Sequence, residues 1–271
     1  MVAELLGGAE LVEITTSGDR LRAAGDKSRF VKEIEEALLA GEVDLAVHSA
    51  KDVPGVMPDG LEIAAVPPRA DPRDVLCGAA SLAALPGGAR VGTASIRRRS
   101  QLLALRDDID VVELRGNVDT RLRRLADGDF DAIVLAAAGL ERLGMAPAGG
   151  VTPLQAGDMT PAPGQGCLAL QVRLGDERTR QRVERVSDPI AFACLAVERD
   201  CVIALDASCE TPVGVLAEAV GADPGRLRVR AYAGAADGSV WIRDEVQGGP
   251  DAGRVLADRM LTAGAAEILG Q

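Results

Sequence analysis

The feature that most constrains the fold is an alternation of short apolar runs and helical segments between Arg90 and Gly144. The runs VGTAS, DVVEL and DAIVL are each followed by a segment with helical character: IRRRSQLLALR, NVDTRLRRLADG and LERLG. This alternation is typical of βαβ units, in which consecutive strands lie parallel and the helices cover the sheet. The sequence therefore predicts an α/β fold with a mainly parallel sheet.

The flanking segments predict two further domains. Before the alternation, a helix that stops at Gly41 precedes an apolar run, 43–50, which predicts a buried strand. After it, the Pro/Gly-rich stretch 160–166 is typical of a crossing between domains, and strand character returns in CLALQVRL. Beyond Pro189, a long helical segment, three strand-like runs and a final helix indicate a small α+β domain. The predicted limits are 1–70 with 167–186 for domain 1, 71–160 for domain 2, 161–166 for the hinge and 187–271 for the C-terminal domain.

Composition argues against several classes of function. The chain has 30 basic and 41 acidic residues, a net charge of −11, which disfavours general binding of nucleic acid or anionic membranes. Only 2% of the residues are aromatic, so a platform for stacking bases is not expected. No apolar run is long enough to span a membrane. Five cysteines without a CxxC pair, a single histidine and no leader pattern predict a cytoplasmic protein with reduced thiols and no metal.

Candidate binding residues cluster where the predicted strands end, the edge at which open α/β sheets bind ligands. The run 43–50 leads to Lys51 and Asp52, and the later strands lead to a hydroxyl and several guanidinium groups. These are Ser95, Arg97, Arg98, Arg115, Arg121 and Arg142. Helix N-termini attract anions, and guanidinium forks match carboxylates. Their recurrence at one position in the fold predicts a multiply anionic ligand, although each arginine taken singly is equally consistent with a solvated charge.

Four other side chains are singled out by their surroundings. Asp52 either caps a turn or stays ionised among cations and stabilises a positive intermediate. Cys209 lies in the polar segment DASCETPVG, where a thiol is suited to act as nucleophile or covalent anchor, whereas the other cysteines fall in or beside apolar segments. Lys27 is exposed unless its polar loop closes over a ligand. His48 follows an apolar run and is expected to be a buried histidine whose ring nitrogens are hydrogen-bonded.

Several segments together resemble the porphobilinogen deaminase family, whose members are also called hydroxymethylbilane synthases. In the family's order, and across almost the whole chain, they are ITTSGD, FVKEIEEALL, DLAVHSAKDVP, DPRD, VGTASIRRRSQL, LRGNVDTRL, DAIVLAAAGLERLG, PAPGQG and CETPVG. The combination is specific, whereas no single motif is. The resemblance implies two periplasmic-binding-protein-like, doubly wound α/β domains and a small C-terminal α+β domain that carries the cysteine.

The resemblance also implies an activity. Family members are transferases of tetrapyrrole biosynthesis that join four porphobilinogen molecules head to tail, release ammonia and yield hydroxymethylbilane. The polypyrrole chain grows on a dipyrromethane cofactor, held by a thioether to the cysteine that matches Cys209. Asp52 matches the catalytic carboxylate, and the implied enzyme is a cytoplasmic monomer. The residues that match cofactor and substrate contacts are Lys27, Lys51, Ser95, Arg97, Arg98, Arg115, Arg121 and Arg142.

The N-terminus departs from the family's pattern. Family members begin with a strand, a turn that carries an arginine and a serine, and a helix, whereas VAELLGGAELVEI begins within what matches the end of that helix. A strand is predicted over 11–15, but the family's first strand and both polar residues have no match. We therefore expect that Met1 is not the natural start or that the chain is a fragment, with apolar surface exposed in domain 1.

Two other classes of function compete with the deaminase. A non-catalytic two-domain module for binding anions would explain the arginines and the hinge, but not Asp52 or the domain that carries Cys209. A nucleic-acid binder would use the basic stretch 97–124, but the net charge of −11 and the acids within that stretch oppose it.

Overall fold

The structure is a computed structural model that describes residues 1–14, 31–147, 149–208 and 210–271. These residues form three sheets with helices packed against them. The predicted α/β architecture with a C-terminal α+β unit is therefore confirmed. Within the described residues, no helix has the length and apolar character needed to cross a membrane.

The first sheet combines strands from two distant parts of the chain. In spatial order they are β1 (Ala46–Ser49), β8 (Leu168–Arg173) and β2 (Leu61–Ala65). The central strand β8 runs antiparallel to both neighbours, and its Leu170 and Val172 have no exposed surface. The helices of this unit are α1 (Val2–Leu5), α2 (Lys32–Ala40) and α6 (Glu177–Glu184).

The strand predicted over 11–15 is wrong for residues 11–14, which take no regular structure. Thr15 lies outside the described residues. A strand forms only against a hydrogen-bonded neighbour, and none of the described strands pairs with residues 11–14. Leu11 is accordingly 85% exposed, so this segment lies outside the first sheet.

The second sheet contains the alternating strands and helices that the sequence predicts between Arg90 and Gly144. In spatial order its strands are β5 (Asp110–Val112), β4 (Arg90–Gly92), β6 (Ala132–Ala136), β3 (Asp74–Cys77) and β7 (Val151–Pro153). Its helices are α3 (Ile96–Leu105), α4 (Val118–Ala126) and α5 (Ala137–Leu143). Strand β4 lies parallel to β5 and β6, which confirms the βαβ units. Strands β3 and β7 are antiparallel additions, so the sheet is mixed.

The third sheet is a meander covered by helices. Its strands, in spatial order, are β11 (Trp241–Gly248), β10 (Asp223–Gly234) and β9 (Val213–Val220). The helices are α7 (Pro189–Ala204), α8 (Ala252–Thr262) and α9 (Ala265–Leu269). Asp188 caps α7 by accepting from the backbone N–H groups of Ile190 and Ala191, both at 2.8 Å. The predicted final helix is divided in two because Gly264 takes a left-handed conformation, with φ of 97°.

The described cysteines are free, buried thiols, as their apolar surroundings predicted. They are Cys77, Cys167, Cys194 and Cys201. Burial raises the pKa of Cys167 and of Cys201 to about 12, so both remain neutral and unreactive at physiological pH. In the part of the chain that the structure describes, no group of three or more His, Cys, Asp or Glu side chains is placed to hold a metal ion.

The hinge segment 161–166 contacts elements of more than one sheet. The backbone N–H of Gly164 donates to Glu198 Oε2 at 2.6 Å, and Glu198, fully buried in α7, also pairs with Arg69 Nη1 at 2.6 Å. Gly164 has a φ of 71°, and a Cβ there would lie 3.0 Å from Ala50, so any side chain at this position would be strained. On this basis we propose that the domains divide at the limits given above.

Candidate active site

A cavity of about 390 Å³ lies where elements of the three sheets meet. Its wall is formed by the turn after β1, the start of α3, the hinge and the end of α7. The polar lining residues that matter most are Lys51, Asp52, Ser95, Arg97, Ser208 and Thr211. Valine, isoleucine, alanine and proline side chains complete the wall. Such a combination of apolar wall and a few convergent polar groups is typical of a small-molecule site.

Lys51 and Asp52 lie in a single 3-10 turn that follows β1 directly. The turn is held from two sides. The backbone N–H of Ala50 donates to the carbonyl oxygen of Cys167 at 3.1 Å, and the hinge packs over it at Gly164. Both side chains are half-buried, so the sequence-predicted carboxylate lies at the cavity wall on a fixed backbone.

A buried carboxylate holds the two arginines at the start of α3. Ser95 is the N-cap of this helix, and its hydroxyl accepts from the backbone N–H of Arg98. Arg97 Nη1 donates to Asp74 Oδ2 at 2.7 Å and to the carbonyl oxygen of Thr160 at 2.6 Å. Arg98 donates to Asp74 Oδ1 from Nε at 3.0 Å and from Nη2 at 2.8 Å.

The charges of this cluster do not cancel. Burial alone would raise the pKa of Asp74, but Arg97 and Arg98 outweigh burial and hold that pKa well below its usual range. Burial lowers the pKa of Arg97, and the charge of Asp74 offsets part of that effect. One carboxylate between two guanidiniums leaves one net positive charge. Of the two arginines, Arg97 lines the cavity, so a cation lies in the same wall as Asp52.

Four predicted anion-binding residues are not among the described residues that line the cavity: Arg98, Arg115, Arg121 and Arg142. Arg115 is exposed and pairs with a neighbouring glutamate at 2.6 Å. Burial, and then the charge of Arg98, lowers the pKa of Arg121, which donates to a carbonyl oxygen of the preceding loop at 2.8 Å. Arg142 Nη2 donates to a hinge carbonyl oxygen at 2.7 Å.

Two predicted residues, Lys27 and Cys209, lie outside the described residues. Ser208 and Thr211, which stand one residue before and two residues after Cys209 in the chain, both line the cavity. Thr211 Oγ1 donates to the carbonyl oxygen of Ser208 at 2.7 Å and accepts from its backbone N–H at 2.9 Å. These bonds join Ser208 to Thr211 at the cavity wall, between α7 and β9.

Sequence reasoning missed Asp74, although a signal was available. An aspartate that opens the buried apolar run DVLC requires a cationic partner, because an unpaired buried charge is very costly. The hinge residue Gln165 was also missed; its Nε2 donates to Asp74 Oδ1 at 2.9 Å. Arg199, on α7, was missed as well. It donates to the carbonyl oxygens of Pro54 and Gly55, but nothing in the sequence indicates this contact, because the arginine lies within the charged segment ERD of a helix.

His48 is buried and hydrogen-bonded, as the sequence predicted. Its Nε2 lies 2.9 Å from Gln171 Oε1, and Gln171 Nε2 donates to Glu35 Oε1 at 2.9 Å. Burial lowers the pKa of His48 below its ordinary value of 6.5, while the bond to Gln171 and the charges of Glu35 and Asp52 offset part of that effect.

This pKa predicts an acid-sensitive contribution to stability. Because the unfolded chain binds a proton at His48 more readily than the folded one, stability falls as the pH drops through 6.5 and below. His48→Gln keeps a hydrogen-bonding side chain but cannot titrate. The thermal midpoint should therefore fall less between about pH 7.5 and about pH 5.5 in His48→Gln than in the wild type. Equal drops in both proteins would contradict the prediction, since the carboxylates titrate in both.

Comparison with known proteins identifies the family. A family model described as porphobilinogen deaminase, dipyromethane cofactor binding domain, matches residues 1–181. The porphobilinogen deaminase of Roseiflexus sp. is 46% identical over 268 residues, covering 94% of this chain and 86% of the relative. That of Thermus thermophilus is 46% identical over 264 residues, covering 95% and 87%.

Among solved structures, the periplasmic VFT2 domain of Bordetella pertussis BvgS aligns with a TM-score of 0.34 at 19% identity, covering 58% of this chain and 66% of that domain. This similarity is too low to indicate a function. The family model covers well over half of the chain, and both relatives match it over nearly its whole length. The chain therefore belongs to the porphobilinogen deaminase family.

Proposed function

We propose that this chain joins four porphobilinogen molecules head to tail into hydroxymethylbilane and releases ammonia, as a transferase of tetrapyrrole biosynthesis. The observation that carries the proposal is one cavity lined by Asp52, the cations Lys51 and Arg97, and Ser208, the described residue directly before Cys209. The names of the relatives, matched over most of their length, support the same activity.

Asp52 is the catalytic carboxylate in this proposal. Loss of ammonia from porphobilinogen leaves a positive charge on the pyrrole, and a fixed carboxylate stabilises charge that develops in the transition state. The 3-10 turn that carries Asp52 is held by Cys167, directly before β8, and by the hinge, so the carboxylate needs little reorganisation at the moment of reaction.

Cations bind the acidic arms of the substrate and of the growing chain. Arg97 and Lys51 lie at the cavity wall, and Ser95 supplies a hydroxyl beside them. Arg98 keeps Arg97 in place through their shared carboxylate. The remaining proposed contacts, which a longer polypyrrole would reach, are Lys27, Arg115, Arg121 and Arg142.

A dipyrromethane cofactor, attached through a thioether to Cys209, would supply the pyrrole terminus to which porphobilinogen units are added. The described residues fit such a group. The cavity has apolar wall at Val56 and Ile203 for pyrrole rings, the cation of Arg97 for carboxylate arms, and Ser208 directly before the attachment residue.

The test is turnover combined with intact mass. Purified protein incubated with porphobilinogen should release ammonia and form hydroxymethylbilane. Its mass should exceed the sequence mass by a two-pyrrole unit that maps to the peptide containing Cys209. A folded protein that bound porphobilinogen but had an unmodified mass and released no ammonia would instead support a non-catalytic anion-binding module.

We also propose that the protein is a cytoplasmic monomer that binds neither nucleic acid nor membranes. The net charge of −11 and the neutral, unpaired thiols of the described cysteines support this assignment. Light scattering of the protein as it elutes from a size-exclusion column would measure its mass in solution and decide the oligomeric state.

A further inference from the structure

Arg199 reaches from α7 to the loop that follows the catalytic turn. Its Nη2 donates to the carbonyl oxygens of Pro54 at 2.7 Å and Gly55 at 2.8 Å, and Nη1 reaches that of Val53 at 3.4 Å. Three consecutive carbonyl groups, the first directly after Asp52, thus converge on one side chain. A planar guanidinium can serve several neighbouring acceptors at once, which a lysine ammonium cannot do in the same geometry.

The partners of Arg199 make this contact a constraint on the backbone. Burial lowers the pKa of Arg199, and the nearby charges of Asp200 and Glu35 offset part of that effect. The described hydrogen bonds of the guanidinium all go to backbone carbonyl oxygens. Arg199 is half-buried, and a cation partly withdrawn from water loses stability when its donors are left unsatisfied. The conformation of loop 53–55 and the placement of Arg199 therefore depend on each other.

A second contact joins the same helix to the same loop. Ile203 lies four residues after Arg199 and thus on the same face of α7. A Cβ added at Gly55 would lie 3.3 Å from Ile203 Cγ1, so loop and helix are already in close contact. Pro54, Gly55 and Ile203 all line the cavity.

Helix α7 also leads to Ser208, the described residue directly before Cys209. Beyond its C-terminus, the backbone N–H of Ala207 donates to the carbonyl oxygen of Val202 at 3.0 Å, and Asp206 takes a left-handed conformation with φ of 47°. This cap directs the chain to Ser208 at the cavity wall. One helix therefore contacts the loop after Asp52 and ends four residues before Ser208, the described residue that precedes the proposed attachment site.

We propose that Arg199 is a positioning residue of the reaction, one that fixes Asp52 at a set distance from the group attached at Cys209. The proposal rests on the proposed function. Arg199 is not among the described residues that line the cavity, so it acts through the backbone of 53–55. Each added unit has to be presented to the same carboxylate, and a loose distance between carboxylate and anchor slows turnover without weakening the cations that bind substrate.

The test compares Arg199→Lys and Arg199→Gln with wild type in intact mass, thermal midpoint, kcat and KM for porphobilinogen. The lysine keeps the charge but not the fork, and the glutamine keeps a neutral donor, so the two variants remove different parts of the contact. We expect both to carry the two-pyrrole adduct, to lose about 10- to 100-fold in kcat, as misplacement by about 1 Å does, and to keep KM within about twofold.

Arg173→Lys is the matched control. Arg173 Nη1 also donates to two backbone carbonyl oxygens, those of Leu38 and Val43, but it is not among the described cavity residues. It should lose stability without losing kcat. The positioning role is overturned if loaded Arg199 variants keep wild-type kcat, if KM changes instead, or if Arg173→Lys loses as much kcat for the same drop in thermal midpoint. Wild-type protein without adduct or turnover would overturn the proposed function itself, and this role with it.

Discussion

Cys209→Ser is expected to leave the protein without a covalent cofactor and without measurable turnover of porphobilinogen. A serine hydroxyl is a much weaker nucleophile than a thiolate at neutral pH, and it cannot form a thioether. The described cysteines offer no substitute, because all four are buried in the core. Burial raises the pKa of Cys77 and of Cys194 to about 11. Intact mass and peptide mapping of the purified variant would show the loss of the adduct directly.

Glu210→Gln is the control for this variant. Glu210 is the next residue in the same turn and is exposed, so its change tests whether any substitution there prevents attachment. This control should carry the two-pyrrole unit and turn over porphobilinogen. A Cys209→Ser protein that retained the adduct would place the attachment on another residue and would remove Cys209 from the mechanism.

The parts of the fold that depend on neighbouring residues were predictable from the sequence. Ser95 and Asn117 precede the helices α3 and α4, and each caps its helix by accepting from a backbone N–H three residues later. The spacing of such a cap is visible in the sequence itself. The strand predicted over 11–15 failed for 11–14 because a strand needs a partner that no local pattern supplies.

The contacts that build the site depend on residues far apart in the chain. Arg97 reaches Asp74, 23 residues earlier, and Thr160, 63 residues later. Arg199 reaches a loop more than 140 residues before it. Sequence reasoning groups arginines by their position after strands, and it cannot separate one at a cavity wall from one that pairs with a neighbouring acid. That distinction requires the tertiary structure.

Asp52→Asn should slow turnover about 100- to 1000-fold, the loss expected when a group that stabilises transition-state charge is removed. The amide has nearly the shape of the carboxylate but carries no charge. It therefore cannot stabilise the positive charge that appears as ammonia leaves porphobilinogen. The same wall contains Lys51 and Arg97, so removing the negative charge also makes the local potential more positive, which further opposes a cationic intermediate.

The measurement is kcat per molecule of loaded protein, with the two-pyrrole adduct quantified by intact mass in each preparation. Asp59→Asn is the matched control, because Asp59 is an exposed aspartate seven residues after Asp52 and should keep wild-type kcat. Since Lys51 and Arg97 remain in place to bind the acidic arms, KM for porphobilinogen should change much less than kcat. A loaded Asp52→Asn protein with near-normal kcat would show that charge stabilisation comes from elsewhere, and an increase in KM alone would make Asp52 a binding residue instead of a catalytic one.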